Sequence, residues 1–269
     1  MAPSCTMAAV PAARRGSLSC VFYWFLKVLA LGPLLKLIFR PWAEGTENVP
    51  REGAAILAAN HLSYSDWLFM PLVIPRRITY VAKAEYFEGS GVKGFFQRGF
   101  FRGAGQVPID RSSGSAAAGA IRTQLRLLED GEICGIFPEG TRSHDGKLYR
   151  GRTGVARLAL ESKVPVIPVA VINTDVVAPP GRLLGRYARP GLRFGKPLDF
   201  SRYEGMADDR YILRAITDEI MYEIMNLSGQ EYVDLYATDA KKRDKELEKQ
   251  AAKERERAEV EEVLDEIAE

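Results

Sequence analysis

The chain has 269 residues, a net charge of +2, and 46% hydrophobic and 27% charged content, an ordinary globular balance for one large domain or two small ones. The three cysteines, Cys5, Cys20 and Cys134, stand far apart and form no CxxC, which excludes a disulfide framework and a cysteine zinc site and fits a reducing compartment. Two histidines, His61 and His144, are too few for a histidine-rich metal centre.

The charge is unevenly spread. Residues 1–40 carry Arg14, Arg15, Lys27, Lys36 and Arg40 and no acid, a basic front end suited to an anionic surface. Residues 1–16 read as a disordered N-terminus. Residues 17–39, SLSCVFYWFLKVLALGPLLKLIF, are apolar and aromatic, and as one helix they would reach roughly 35 Å, enough to cross a bilayer core. Lys27 in mid-run and Gly32-Pro33 argue against a plain span. The segment 17–40 is therefore expected to be two short helices with a kink, lying in or dipping into one leaflet. A signal peptide is the rival, but no small-x-small cleavage site precedes Pro41-Trp42. A buried helix packed on the domain is the other alternative.

From residue 41 short apolar runs alternate with helical patterns. Strands are expected over 54–59, 78–82, 106–109, 133–137, 164–172 and 192–194, and helices over 66–73, 91–99, 115–129, 153–162 and 208–226. Ile212, Ile216, Ile220 and Ile224 recur every four residues along the last helix. The alternation predicts a single α/β domain over 41–236, a mixed central sheet flanked by helices. Residues 237–269 are dense in Lys, Glu and Ala, with apolar anchors only at Val260, Val263, Leu264 and Ile267, and predict a charged tail, helical or disordered.

Three strand ends carry chemistry. NHLSYSD places His61 directly after the first strand and Asp66 at the start of the next helix. A turn can bring that carboxylate back to one imidazole nitrogen and leave the other as a base. Ser65 or Asp66 as a helix cap is the plain alternative. A serine nucleophile finds no GxSxG anywhere in the chain. FPEGTRS follows the 133–137 strand and offers Glu139, Gly140, Thr141 and Arg142, with a glycine for close backbone approach and a guanidinium fork suited to phosphate. GQVPIDR ends another strand in Arg111. His61, Arg111 and Arg142 would converge on one edge of the sheet, a base beside a phosphate site.

Taken together these residues resemble the glycerolipid acyltransferase family, of the lysophosphatidic-acid (1-acylglycerol-3-phosphate) acyltransferase type. His61 and Asp66 match its HxxxxD motif, Gly105 to Arg111 its second block, Phe137 to Ser143 its FPEGTRS block, and Val164 to Val169 (VPVIPV) its fourth. Lys83-Ala84-Glu85 resembles a further basic segment, and Pro108 departs slightly from the second block. The resemblance covers about residues 40–200. It implies transfer of a fatty acyl group from acyl-CoA or an acyl-carrier protein to the sn-2 hydroxyl of lysophosphatidic acid, giving phosphatidic acid, with glycerol 3-phosphate or another lysophospholipid as the alternative acceptor. It implies His61 as base and Asp66 as its orienter. Lys83, Arg111, Glu139, Gly140, Thr141 and Arg142 would hold the acceptor, and Pro168 would shape the site. Attack would be direct, with no acyl-enzyme, no metal and no cofactor. The expected partners are membrane phospholipids, the lysophospholipid acceptor and the thioester donor, and not nucleic acid. The protein would be membrane-associated with its catalytic domain facing the cytoplasm. The aromatic and basic segment 86–102 is expected to face the membrane or wall an acyl channel. Arg182, Arg186 and Arg189 form either a second basic patch or a solvated loop.

Overall fold

In this computed structural model residues 18–82, 87–109, 116–179, 182 and 185–268 are described. Residues 1–16, Lys83 and Arg111 lie outside them, as do the side chains of Lys93, Phe96, Arg102, Val260, Val263, Leu264 and Ile267. The strands are β1 (Trp42–Glu44), β2 (Ala55–Ala59), β3 (Ile78–Ala82), β4 (Gln106–Pro108), β5 (Ile133–Ile136), β6 (Leu148–Tyr149), β7 (Val166–Ile172), β8 (Gly191–Phe194) and β9 (Tyr232–Val233). The helices are α1 (Leu18–Val28), α2 (Leu31–Phe39), α3 (Asp66–Val73), α4 (Gly91–Gly103), α5 (Ala116–Glu129), α6 (Gly154–Ser162), α7 (Thr174–Val177), α8 (Arg210–Ser228) and α9 (Ala237–Ala268).

Seven strands form one sheet in the order β1-β8-β7-β2-β5-β3-β4, and β6 pairs with β9 separately. Strands β7, β2, β5, β3 and β4 run parallel, while β8 pairs antiparallel to β7 and carries β1 with it. The mixed α/β sheet expected from the sequence is thus present, dominated by parallel pairs. All five residues of β2 are buried. Ala55, Leu57 and Ala59 face one core with Phe69 and Met70 of α3; Ile56 and Ala58 face the other with α5, α6 and α8. Burial on both faces is why this strand reads as an unbroken apolar run. Because the five strands are parallel, their C-terminal ends reach one edge, so the loops after β2 and β5 are neighbours.

Pro168 lies inside β7, opposite Ala58 of β2. A proline donates no hydrogen bond and is rare in a central strand. Here it falls just outside the β7–β8 register, which begins at Val169 and Phe194; Gly195 N donates to Pro168 O at 2.8 Å, and no return donor is needed.

The N-terminal segment does form two helices, but the break falls at Leu29-Ala30 rather than at Gly32-Pro33. The proline sits in the first turn of α2, where its missing N–H has no intrahelical partner to lose. Lys27 is likewise not an interruption of the apolar face. Its Nζ turns toward the domain and donates to Ile74 O at 2.7 Å and Arg76 O at 3.1 Å, beyond the end of α3, and lies 4.7 Å from the Trp24 ring centre. Val21, Phe25, Val28, Leu29, Leu34, Leu37 and Ile38 remain exposed, with Leu29 and Leu37 at 72%. The stretch Val21–Phe39 has a mean hydropathy of 1.7 and the length of a membrane span, yet it is broken into two helices.

The aromatic segment divides. Phe87 is buried, whereas Phe95 and Phe100 are exposed. Phe100 and Trp67 join Leu26, Leu31 and Leu35 around an apolar cavity between α1, α2 and α3. The charged tail is the single helix α9, and among its described side chains Ala237 and Ala240 of the first turn pack on the domain against Tyr149.

Candidate active site

The loop after β2 folds back on itself around one carboxylate. Asp66 is fully buried, and its Oδ2 lies 2.8 Å from His61 Nδ1 while accepting Leu62 N at 2.8 Å and Ser63 N at 3.0 Å. An ionised carboxylate only accepts, so the imidazole proton belongs on Nδ1 and Nε2 keeps its lone pair. Among the described residues Nε2 has no partner, and the His61 side chain is 18% exposed. Ser65 occupies the cap position of α3 without a side-chain cap bond, and Ser63 Oγ donates to Ala178 O at 2.7 Å. Neither serine hydrogen-bonds His61, so the imidazole has the Asp66 carboxylate as its one hydrogen-bond partner among the described residues.

The ring is also held face-on. Phe137 stacks on His61 with ring centres 4.0 Å apart and planes 14° apart, and Tyr80 stacks on Phe137 at 5.9 Å. Gly135 makes this possible, since a Cβ there would come within 2.1 Å of the Tyr80 ring. Upstream, the Asn60 side chain imitates a strand residue. It donates to Val171 O at 3.0 Å and to Gln230 Oε1 at 2.7 Å, and accepts Val171 N at 2.6 Å, extending the grip of β7 on the His61 loop.

The FPEGTRS loop after β5 wraps the same histidine. Glu139 is buried; its Oε1 accepts His61 N at 2.9 Å and its Oε2 accepts Tyr149 N at 3.0 Å. Ser143 N donates to His61 O at 2.7 Å. Gly140 has φ +73°, the left-handed region that favours glycine, and a Cβ there would crowd the Arg152 side chain at 3.0 Å. The Arg142 guanidinium lies 5.1 Å from the ring centre of Tyr64, inside the His61–Asp66 segment. Both oxygens of Glu139 are thus occupied by backbone, while Arg142 and Thr141 keep polar groups at the loop.

Burial pushes the Glu139 carboxyl up to about 7, against the lowering pull of its two backbone donors. A raised carboxyl binds its proton more tightly folded than unfolded, so its contribution to stability is full below about 4.5 and is lost as pH rises through about 7. At about 1.4 kcal/mol per pKa unit, the wild type is expected to lose about 2–3 kcal/mol from this group between pH 5 and 8. Glu139→Gln removes that dependence and turns an amide N–H against one backbone donor. Urea midpoints of both proteins at the two pH values check this; equal pH slopes would remove Glu139 as the cause.

Residues 41–172 match the sequence model of the family described as Acyltransferase. Over those residues, just under half of the chain, the sequence is that of an acyltransferase-family domain. The 1-acyl-sn-glycerol-3-phosphate acyltransferase of Bacillus subtilis is 28% identical over 186 residues, 68% of this chain and 86% of that protein. The alpha form from Mus musculus is 27% identical over 205 residues, 75% of this chain and 68% of its own length. A Limnanthes douglasii protein of the same name is 31% identical over 134 residues, and there the match spans 45% of its length. The crystal structure of the 1-acyl-sn-glycerophosphate (LPA) acyltransferase PlsC from Thermotoga maritima superposes with a TM-score of 0.53 at 23% identity, over 78% of this chain and 93% of that one. It shares the fold.

Within the acyltransferase domain the structure brings His61, Asp66, Glu139, Gly140, Thr141 and Arg142 together. Lys83 and Arg111 lie outside the described residues, although β3 and β4, which precede them, end at the same edge of the sheet. Pro168 sits mid-strand beside Ala58, three residues before His61, and the described hydrogen bonds link it to Gly195 rather than to His61. Phe137, Tyr80 and Asn60 were not singled out from the sequence. An internal strand glycine at 135 was the available hint of a close ring approach.

Proposed function

We propose that the protein acylates the sn-2 hydroxyl of lysophosphatidic acid from a fatty acyl thioester, on CoA or an acyl-carrier protein, to give phosphatidic acid. The observation that carries this is the His61–Asp66 pair, Nδ1 to Oδ2 at 2.8 Å, wrapped by a loop that presents Arg142. His61 Nε2 takes the hydroxyl proton as the oxygen attacks the thioester carbonyl. The C–O bond forms, the C–S bond breaks, and the thiolate leaves with the proton from the imidazolium. Asp66 steadies the charged ring. Attack is direct, because no side-chain nucleophile adjoins His61 among the described residues. A thioester is already activated, so the transfer needs no metal and no cofactor. Arg142 and Thr141, with Lys83 and Arg111, hold the acceptor phosphate; Gly140 lets the loop approach; Glu139 acts by clamping the loop to His61; Pro168 supports the strand beneath it.

An acceptor with an acyl chain resides in a membrane. The exposed apolar side chains of α1 and α2, Leu29 and Leu37 foremost among them, are the surface we assign to the bilayer, and Phe95 and Tyr187 add exposed aromatics. Thioester donors are cytosolic, so the catalytic edge faces the cytoplasm. The test supplies one acyl-CoA and a panel of acceptors in anionic vesicles: lysophosphatidic acid, glycerol 3-phosphate, lysophosphatidylcholine and monoacylglycerol. Thiol release should be fastest with lysophosphatidic acid, and the protein should float with the vesicles. Faster turnover of an acceptor without a terminal phosphate would reject this assignment.

A further inference from the structure

The first turns of α9 lie beyond residues 41–172, yet they pack on the loop that carries Thr141 and Arg142. Arg152 Nη2 donates to Thr238 Oγ1 at 3.2 Å, and His144 Nε2 lies 2.7 Å from Asp244 Oδ2. This docking delivers Lys241 to the loop. Its Nζ donates to the backbone O of Arg142 and, at 3.4 Å, to Thr141 Oγ1. An ammonium carries three protons, so one remains for a further acceptor.

The charge around it is unbalanced. Neither Lys241 nor Arg142 forms an ion pair with a described carboxylate; Arg142 rests on the Tyr64 ring. The two acids that act on Lys241 are engaged elsewhere. Glu139 accepts two backbone N–H groups, and Asp145 accepts Tyr149 Oη, Ser143 Oγ and Lys147 N. Burial, and next the Arg142 charge, hold the Lys241 ammonium below the usual lysine range. Lys241, braced on the loop that carries Arg142 and the Thr141 hydroxyl, forms with them a cradle for a multivalent oxyanion. A phosphate has enough oxygens to meet the guanidinium fork, the ammonium and the hydroxyl at once.

We propose that Lys241 is a phosphate-binding residue of this active site, joining Arg142 and Thr141 on the phosphate of the acceptor lipid. The proposal rests on the acceptor assignment made above. It also gives the charged C-terminal helix a role in the reaction: α9 completes the acceptor site from outside the matched domain.

The test uses the full chain with Lys241→Gln and Lys241→Arg. Calorimetry with soluble 1-hexanoyl lysophosphatidic acid and with 1-hexanoylglycerol measures what the phosphate contributes to binding, without turnover. Steady-state thiol release gives KM and kcat. Lys241→Gln should raise KM for lysophosphatidic acid by about tenfold or more, the usual loss for a hydrogen bond to a charged group, with kcat within about twofold and the KM for acyl-CoA unchanged. Lys241→Arg should recover most of the loss. An unchanged KM for lysophosphatidic acid, or a fall in kcat alone, would overturn phosphate binding and leave Lys241 a loop brace. A rise confined to the acyl-CoA KM would overturn it in favour of the donor's phosphates. If the wild type binds the two hexanoyl ligands equally, the acceptor assignment fails and this proposal falls with it. If the wild type prefers the phosphate ligand and Lys241→Gln prefers it equally, only the role of Lys241 fails.

Discussion

Replacing His61 with Ala is expected to lower kcat/KM for thioester-dependent acylation by roughly 10² to 10⁴, the range that a positioned general base supplies. The loss should fall on kcat, since in the proposed reaction the imidazole acts on the hydroxyl proton in the transition state while other residues hold the phosphate. The fold should survive. His61 is partly exposed, and the contacts that Glu139 and Ser143 make with residue 61 are to its backbone N and O, which alanine retains. Thiol release from acyl-CoA measures the first effect and the thermal midpoint the second. Retention of most of the activity in a folded His61→Ala protein would remove His61 as the base.

Asp66→Asn has a comparable expected effect by a different route. The carboxylate Oδ2 is shared by three donors: His61 Nδ1, Leu62 N and Ser63 N. An amide oxygen in the Oδ2 position keeps all three donors and places its NH₂ where Oδ1 lies, a buried position with no hydrogen-bond partner among the described residues. His61 then keeps its proton on Nδ1, but a neutral oxygen replaces the carboxylate that would steady the imidazolium. The expected loss in kcat is again roughly 10² to 10⁴. The variant also trades charge-assisted hydrogen bonds for neutral ones in a buried loop, at a cost of about 1–3 kcal/mol. For a chain of this size that lowers the thermal midpoint by about 2–10 °C. His61→Ala also takes one donor from Asp66 and loses the Phe137 stack, so both midpoints should fall, and the activities are compared well below them. Equal midpoints for wild type and Asp66→Asn would contradict the three-donor geometry.

Much of this site was legible in the sequence because its residues follow short apolar strands directly. The runs at 54–59 and 133–137 stand out since parallel strands are buried on both faces, and the edge where they end is set by topology. The spacing from His61 to Asp66 then left one turn for the carboxylate to reach back. What stayed hidden depends on tertiary distance. Glu139 looks like a surface acid beside Arg142, but it is buried and holds the backbone of His61 and Tyr149. Lys27 looks like a charge interrupting an apolar helix, but it binds the carbonyls of Ile74 and Arg76, 47 and 49 residues away. Pro33 looks like a helix breaker and instead sits in a helix's first turn, because local pattern does not reveal where a helix begins. Lys241 lies 100 residues from Thr141, in a tail whose composition gave no sign of a docked first turn.

The central claim is direct attack by an acceptor hydroxyl that His61 deprotonates. It is tested most directly by mixing the purified protein with one equivalent of acyl-CoA, then adding lysophosphatidic acid, while following free thiol and intact protein mass. The account predicts no thiol burst and no mass increase before the acceptor arrives, then one thiol released per phosphatidic acid formed. A burst of thiol with an acyl adduct on the protein before the acceptor is added would contradict it.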